Sequence, residues 1–594
     1  MALHAIDWVS IIAFFVISLA IGLAVARRAG KNAAEFFLSG RNMPWWLLGV
    51  SMVATTFSAD TPNLVTHIVR RNGVAGNWVW WTFLLTGMLT VFVYAKLWRR
   101  SGVLTDLEFY ELRYSGPAAA FLRGFRAVYL GVFFNVVIMA SVSLAIIKIA
   151  GIMLGVSPVE TVIVASVVTV VYSAIGGLRG VLITDFFQFV IAMIGSVGAA
   201  IVIVNLPEVG GLSGLLANDV ISTKTSLLPD FSDSDAWLSL IILPIAVQWW
   251  SVWYPGAEPG GGGYIAQRML SAKNEDNAVG ATLFFNAAHY ALRPWPWIIV
   301  ALCSLVVFPD VASIQRAFPN IDPSVLGDDL GYSAMLTYLP SGLLGLVIAS
   351  LFAAFMSTIS THLNWGSSYV VNDVYKRFIA PDAPEKKLVM VGRISTVVLM
   401  VLAGILALLL STALQAFNIM LQIGAGTGLL FILRWFWWRI NPWSEITAMV
   451  VSFIVALFFQ FVDTGLSSHL QLVTGVGITS ICWIGVTFMT SPSDHSKLTS
   501  FIELVNPGGP GWRAVENEAH RRGESIRTQG GKWDVPTGIL CMVFGCLTVY
   551  GTLFSTGYFL YGNLPAAAGL GAVAIVSAFL LLKAWRRLKS META

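Results

Sequence analysis

Hydroxylated side chains cluster in one apolar stretch of the chain, residues 353–362. Ser357, Ser360 and Thr361 recur there at i, i+3 and i+4, so a helix would place them on one face, with Thr358 on the adjoining edge. Na⁺ is a hard cation that prefers oxygen ligands, and hydroxyl groups supply these without adding charge. The cluster therefore predicts a cation site, although Ser and Thr side chains also join membrane helices for about 0.6 kcal/mol each.

Two carboxyl side chains also lie inside apolar segments, where a charge is costly and marks a candidate functional residue. Asp185 could complete the cation site or relay a proton, and an ion pair with Arg179 is the structural alternative. Asp60 could bind a cation or a substrate. It could equally cap the helix that follows it, because a carboxylate is favourable at a helix N-terminus.

A third group combines a polar stripe with aromatic residues. Asn286, His289 and Arg293 recur at i, i+3 and i+7, which places them on one helical face. Arg293 could neutralise an anionic substrate or form a structural ion pair. Trp80 and Trp249 lie in or beside two interrupted segments, where their rings could stack on a sugar or a cation, or belong to the aromatic belt of a membrane protein.

The elements that must position these residues are helices with breaks. Irregular backbone at membrane depth is tolerated only where it lines a cavity or is buried in protein. Segment 44–68 is interrupted at Asp60 and Pro62, and segment 236–255 ends in the glycine-rich run 255–263. Broken helices at corresponding positions indicate an inverted-repeat transporter with a site at the membrane midplane, although Pro and Gly also kink helices for packing alone.

The whole chain has the composition of a membrane protein. Only 11% of its 594 residues are charged, against about 25% in soluble proteins, which excludes a water-soluble enzyme, a disordered tail and a nucleic-acid binder. About fifteen segments are long enough to cross the bilayer as helices. With the N-terminus outside, most of the 36 Lys and Arg residues fall in inner segments, Arg268 and Lys273 among them, as the positive-inside rule requires.

We therefore predict an all-α polytopic protein of the cell membrane with its C-terminus in the cytoplasm, working in the bilayer as a monomer. No connection is long enough to hold a catalytic domain. The predicted parts are an extra N-terminal helix (1–30), a first five-helix repeat (44–204), a second five-helix repeat (236–435), additional helices (443–490), a polar cytoplasmic loop (491–535), and C-terminal helices with a basic tail (536–594).

Three motifs resemble the sodium/solute symporter family. They are Gly176-Gly177-Leu178-Arg179-Gly180 with Thr184-Asp185 and Gln188, the stretch from Glu35 to Arg41, and Tyr264-Ile-Ala-Gln-Arg268 with Ser271-Ala-Lys273. The resemblance covers residues 5–490. It implies a LeuT-type core of two inverted five-helix repeats, and the coupling of inward Na⁺ flux to solute uptake.

The resemblance also implies site residues. The family's common Na⁺ site would fall on the carbonyls of Ala54, Phe57 and Ala354 and the hydroxyls of Ser357 and Thr358. A second Na⁺ site, present in some members, would use Asp185, Ser357, Ser360 and Thr361. One or two Na⁺ ions per cycle are therefore implied, and Tyr264 is similar to the family's inner-gate tyrosine beneath the substrate.

The substrate ligands of sugar-transporting members are absent. Their Asn-Gln pair before the tyrosine is replaced by Gly262-Gly263, and their acidic and lysine sugar ligands align with Trp80 and Tyr290. The predicted substrate and gate residues are Tyr264, Thr61, Trp80, Trp249, Asp60, Asn286 and Tyr290.

We expect a Na⁺-coupled symporter that imports a small polar organic solute, either a sugar or a sugar-like or carboxylate compound, by alternating access. Two alternatives stay open. One is a proton-coupled transporter that uses Asp185. The other is a membrane-embedded enzyme that acts on a lipid-linked substrate through Asp60 and His289.

Overall fold

The computed structural model describes residues 3–250, 258–319, 326–409, 426–526 and 533–593. Within these ranges the regular structure is helical, apart from an isolated parallel bridge that pairs Met43 with Ala272. This bridge connects the chain just before the first broken helix with the chain just after the second broken helix.

The helices of the first half are labelled in chain order. They are α1 (Ala5–Ala29), α2 (Trp45–Thr56), α3 (Thr61–Asn72), α4 (Val74–Ser101), α5 (Pro117–Gly151), α6 (Pro158–Val171) and α7 (Ser173–Val204).

The second half contains two groups of helices. The first group is α8 (Ser234–Ala246), α9 (Gly263–Ser271), α10 (Glu275–Val307), α11 (Leu343–Ile379) and α12 (Glu385–Leu409). The second group is α13 (Pro442–Phe461), α14 (His469–Met489), α15 (His495–Val505), α16 (Arg513–Arg521), α17 (Val535–Leu560) and α18 (Leu564–Lys589).

Eleven helices in the described ranges are long and apolar enough to cross a membrane, and α2, α6 and α8 are shorter apolar helices. The predicted span 414–435 falls partly on residues 410–425, which lie outside the described ranges. The count of about fifteen spans and the boundaries of the two repeats therefore stay predictions.

The first predicted break is present. α2 ends at Thr56, because Phe57 takes φ −85° and ψ 72°, and α3 begins at Thr61 with Pro62 in its first turn. Proline suits that position because its missing N–H has no partner in a first turn anyway. Asp60 stands at the N-cap position of α3, where its side chain makes no capping hydrogen bond. The prediction that its charge favours this helix N-terminus stays open.

The second break comes earlier than predicted. We expected an apolar helix up to residue 255, whereas α8 ends at Ala246 and a 3-10 turn spans Gln248–Trp250. Val247, a β-branched residue of low helix propensity, leaves the helical range there with φ −131°. Residues 251–257, which include part of the predicted run, lie outside the described ranges, and the chain resumes as α9 at Gly263.

The helix α7 is kinked near its start, at Gly177 (φ 55°, ψ −161°). A Cβ at this position would lie 2.7 Å from the carbonyl oxygen of Phe36, and the left-handed φ disfavours any side chain. We expect Gly177→Ala to lower the free energy of unfolding by about 1–3 kcal/mol, measured as a lower thermal midpoint of the purified protein in detergent. The control is Gly176→Ala, whose Cβ would meet its nearest neighbour at an ordinary 3.4 Å. Equal midpoints for the two variants would contradict this account.

α11 lies at the centre of the bundle. It packs against α7, α2, α5 and α12, and nearly all of its side chains are buried. The hydroxyl-bearing segment is therefore enclosed by protein, next to the first broken helix.

The segment 491–535, predicted as a polar loop, contains the two short helices α15 and α16. Phe501 stacks on Trp512 with ring centroids 5.5 Å apart, and the Trp512 indole donates to the carbonyl of Trp435 at 3.0 Å. Phe501 also lies against Trp435, with ring centroids 6.0 Å apart, so both residues hold the segment against the helical core.

Candidate cation and solute site

The end of α2 and the middle of α11 meet at Thr358. The Thr358 hydroxyl donates to the carbonyl of Thr55 at 2.8 Å and to the carbonyl of Ala354 in its own helix at 3.1 Å. The Phe57 N–H approaches the carbonyls of Val53 at 2.9 Å and Ala54 at 3.1 Å. The C-terminal carbonyls of a helix carry partial negative charge, so a cation would be stabilised at this junction.

The residues predicted for the first Na⁺ site lie on two helices, α2 and α11, or directly after α2. Thr358, Ala354 and the last turn of α2, with Ala54 and Phe57, are buried together, and Ser357 stands beside Thr358 on α11. Main-chain and hydroxyl oxygens of this kind are the ligands that a hard cation prefers.

Asp185 of α7 lies between α2 and α11. One carboxylate oxygen accepts from the Ser357 hydroxyl at 2.7 Å, and the other accepts from the Ser51 hydroxyl at 2.5 Å. Thr361 contacts Thr55 at 2.9 Å between their hydroxyl oxygens. Asp185, Ser357 and Thr361, predicted for the second Na⁺ site, therefore form one buried cluster.

The described hydrogen bonds of Ser360 lie outside this cluster. Its hydroxyl donates to the carbonyl of Ser357 at 3.1 Å, and its own carbonyl accepts from Ser173 at 3.4 Å. The contact with Ser173 joins α11 to the start of α7.

Arg268 places a positive charge in the same cluster. Its guanidinium donates to Thr361 at 2.7 Å and to Ser51 at 3.1 Å, and it lies 3.8 Å from the nearer Asp185 oxygen. Arg268, which the positive-inside count assigned to an inner segment, has a fully buried side chain. Asp185 therefore pairs with Arg268 at a distance of 3.8 Å. The structural alternative had named Arg179 as its ion-pair partner.

Arg268, Ser51 and Thr55 are not among the predicted site residues. For Arg268 a signal existed, because it follows Tyr264 by one helical turn within a motif that resembles the family. The Tyr264 ring is buried, and the Arg268 guanidinium carbon lies 5.9 Å from its centroid.

A second group of polar residues contacts the end of α2, just before the break. In α10, residues Ala288–Leu292 form a π-helical turn, a feature often found at functional sites. Its His289 contacts the Thr56 hydroxyl at 3.2 Å through Nδ1, and its Tyr290 stacks on Trp80 of α4 with centroids 5.8 Å apart and planes 23° apart. The predicted residues Trp80 and Tyr290 are thus in contact.

The other predicted substrate residues are placed differently. Asp60 is exposed and Thr61 half-buried at the start of α3, and the amide nitrogen of buried Asn286 donates to the carbonyl of Thr282 in its own helix at 2.8 Å. Trp249 is half-buried in the turn after α8, where its ring lies 5.6 Å from that of Trp250.

The glycine-rich segment before α9 is anchored by charge. Glu258 is buried and forms ion pairs with Arg126 and with Arg434, the latter at 3.1 Å. The Gly260 carbonyl accepts from the Trp98 indole at 2.8 Å, and the Gly263 N–H donates to Asp106 at 2.8 Å. This segment thereby connects α9 to α4, α5 and the chain before α13.

Comparison with solved structures agrees with this architecture. A substrate-bound, outward-open Na⁺-coupled sialic acid symporter matches with a TM-score of 0.67 and 21% identity, over 83% of this chain and 99% of the other. The fold is therefore that of an all-helical, LeuT-type membrane transporter, as predicted.

Sequence comparisons identify the family. The model of the sodium:solute symporter family matches residues 36–452. A sodium/glucose cotransporter of Vibrio parahaemolyticus is 27% identical over 83% of this chain and 92% of its own length, and sodium/glucose cotransporter 4 of Mus musculus is 26% identical over 84% and 77%.

The chain belongs to the sodium:solute symporter family. Its class of activity is therefore Na⁺-coupled solute symport across a membrane, which is transport rather than enzymatic catalysis.

Proposed function

We propose that this protein imports a small polar organic solute together with Na⁺ by alternating access, and that the first Na⁺ site couples the two. The contact that supports this most directly is the Thr358 hydroxyl on the Thr55 carbonyl at 2.8 Å, which joins α11 to the end of the broken helix. A Na⁺ ion bound at this junction favours the conformation in which the two helices stay together, and the solute binds beside the break in that conformation.

The energetics suit concentrative uptake. A tenfold Na⁺ gradient supplies about 1.4 kcal/mol per ion, and a membrane potential of about 100 mV adds about 2.3 kcal/mol per charge. One Na⁺ ion can therefore support a solute gradient of roughly 500-fold. A second ion would have to share the Asp185 cluster with the Arg268 guanidinium.

The proposed orientation places the N-terminus outside and the C-terminus in the cytoplasm of the cell that makes the protein. This follows the distribution of Lys and Arg between successive connections.

The test begins with the purified protein and a library of small solutes. We expect a solute that raises the thermal midpoint in NaCl to raise it much less in choline chloride. Uptake of that solute into proteoliposomes should fall to background when Na⁺ is replaced by choline or K⁺. Undiminished uptake without Na⁺, driven instead by an inward proton gradient, would favour proton coupling through Asp185. A chemically altered solute inside the vesicles would favour the membrane-embedded enzyme.

A further inference from the structure

Arg293 is a buried cation whose described hydrogen bonds are all long, and its guanidinium carbon lies 5.2 Å from the centroid of the Trp297 ring. It lies at the π-helical turn of α10, and its side chain is almost completely buried. Its guanidinium reaches the Thr56 hydroxyl at 3.3 Å and the Val53 carbonyl at 3.4 Å, and it approaches His289 Nε2 at 3.4 Å. Its Nε–H has no hydrogen-bond partner in the described ranges.

Two other buried arginines of the bundle have carboxylate partners. Arg123 pairs with Asp373 at 2.6 Å, and Arg434 pairs with Glu258 at 3.1 Å. By contrast, the described ranges offer Arg293 no carboxylate within ion-pair distance. The ion-pair alternative for Arg293 is therefore not supported.

An unpaired cation inside a membrane protein is costly and is retained for function. A guanidinium presents planar, paired N–H groups that match a carboxylate in two parallel hydrogen bonds. The neighbouring groups suit the same ligand, because the Thr56 side chain is half-buried at the break and the Trp80–Tyr290 stack provides an adjacent apolar wall.

We propose that Arg293, with His289 and Thr56, forms the subsite for a carboxylate group of the transported solute, which is therefore an organic anion. This inference rests on the proposed function, since it names the substrate class of the same transporter.

The position of Arg293 beside the α2 break gives a physical reason for coupling between Na⁺ binding and solute binding. Arg293 contacts the Val53 carbonyl, and the proposed Na⁺ ligand Ala54 is the next residue. Two positive charges at one helix end repel each other, and a carboxylate bound at Arg293 reduces that repulsion, so each ligand strengthens the binding of the other.

The test uses the purified full-length protein and matched probes that differ in the carboxylate. The pairs are lactate with lactamide, gluconate with glucitol, and glucuronate with glucose. We expect at least one acid, and not its neutral counterpart, to raise the thermal midpoint of the wild type and to lower its Na⁺ half-saturation. Arg293→Gln should weaken binding of that acid by about tenfold to hundredfold, the scale of lost hydrogen bonds to a charged group, and Arg293→Lys should weaken it less.

A second measurement needs no ligand. Arg293→Met should leave the midpoint of the solute-free protein unchanged or raise it. Arg434→Met should lower the midpoint, because it removes the ion-pair partner of buried Glu445 and one of the two ion-pair partners of buried Glu258. If no probe stabilises the wild type, this comparison still tests whether Arg293 is a structural residue that stabilises the fold.

The inference is overturned if neutral probes bind as well as acids, if Arg293→Gln binds the acid with unchanged affinity, or if Arg293→Met is as unstable as Arg434→Met. Failure of the proposed function is separate. It would show as a wild-type midpoint that does not respond to Na⁺ in place of choline.

Discussion

Asp185→Ala is expected to lower the free energy of unfolding by about 3–5 kcal/mol, the usual cost of stranding one member of a buried ion pair. The substitution removes the carboxylate nearest to the Arg268 guanidinium, and both side chains are fully buried. It also removes the acceptor of the Ser51 and Ser357 hydroxyls. Chemical denaturation of the purified protein in mild detergent measures the change.

Removing both charges gives the matched comparison. Asp185→Ala combined with Arg268→Met should be more stable than Asp185→Ala alone, because the uncompensated cation has gone. The control is Asp276→Ala, which removes an exposed carboxylate 2.6 Å from exposed Lys589 and should change stability by less than about 1 kcal/mol. Wild-type stability of Asp185→Ala would show that Asp185 is not the counter-ion of Arg268.

This pairing bears on the second Na⁺ site. Two unit charges about 4 Å apart repel each other by about 4 kcal/mol at an effective dielectric constant of about 20. A Na⁺ ion among Asp185, Ser357 and Thr361 would meet that repulsion from Arg268. The proton-coupled alternative faces a related difficulty, since a protonated Asp185 leaves Arg268 without its anion.

The sequence predicted the parts of the site that follow from local chemistry. The hydroxyl cluster of α11 was visible as a helical repeat, and Asp185 was visible because a charge in an apolar segment is costly. The break near Asp60 and Pro62 was visible for the same local reason, since proline ends a hydrogen-bonding pattern.

The rest depends on which distant segments pack together. Arg268 reaches Ser51 and Thr361 from a different helix, and the contact of Thr358 with Thr55 joins residues 303 positions apart. No local periodicity encodes such pairings. The same holds for the segment 491–535, where Trp512 is buried against the core. Its sequence is polar overall, and the apolar residues that dock it are few.

Thr358→Val is expected to raise the Na⁺ half-saturation concentration by about tenfold or more, the scale of removing one dipole that faces a charge. Valine keeps the shape of threonine but lacks the hydroxyl that contacts the Thr55 carbonyl at 2.8 Å. Ser357→Ala should also weaken the Na⁺ response. Its interpretation is less direct, because the Ser357 hydroxyl donates to Asp185 as well.

Tryptophan fluorescence titrated with NaCl, with choline chloride keeping the ionic strength constant, measures the effect. The Trp297 ring lies 4.8 Å from that of Phe57 at the break, so it can report on this junction. The control is Thr396→Val, which removes a buried hydroxyl that donates at 2.9 Å to the carbonyl of Gly392 in its own helix, away from the break. If Thr358→Val and Thr396→Val both keep the wild-type half-saturation, the coupling ion does not bind between α2 and α11. The broken helix would then serve solute binding alone.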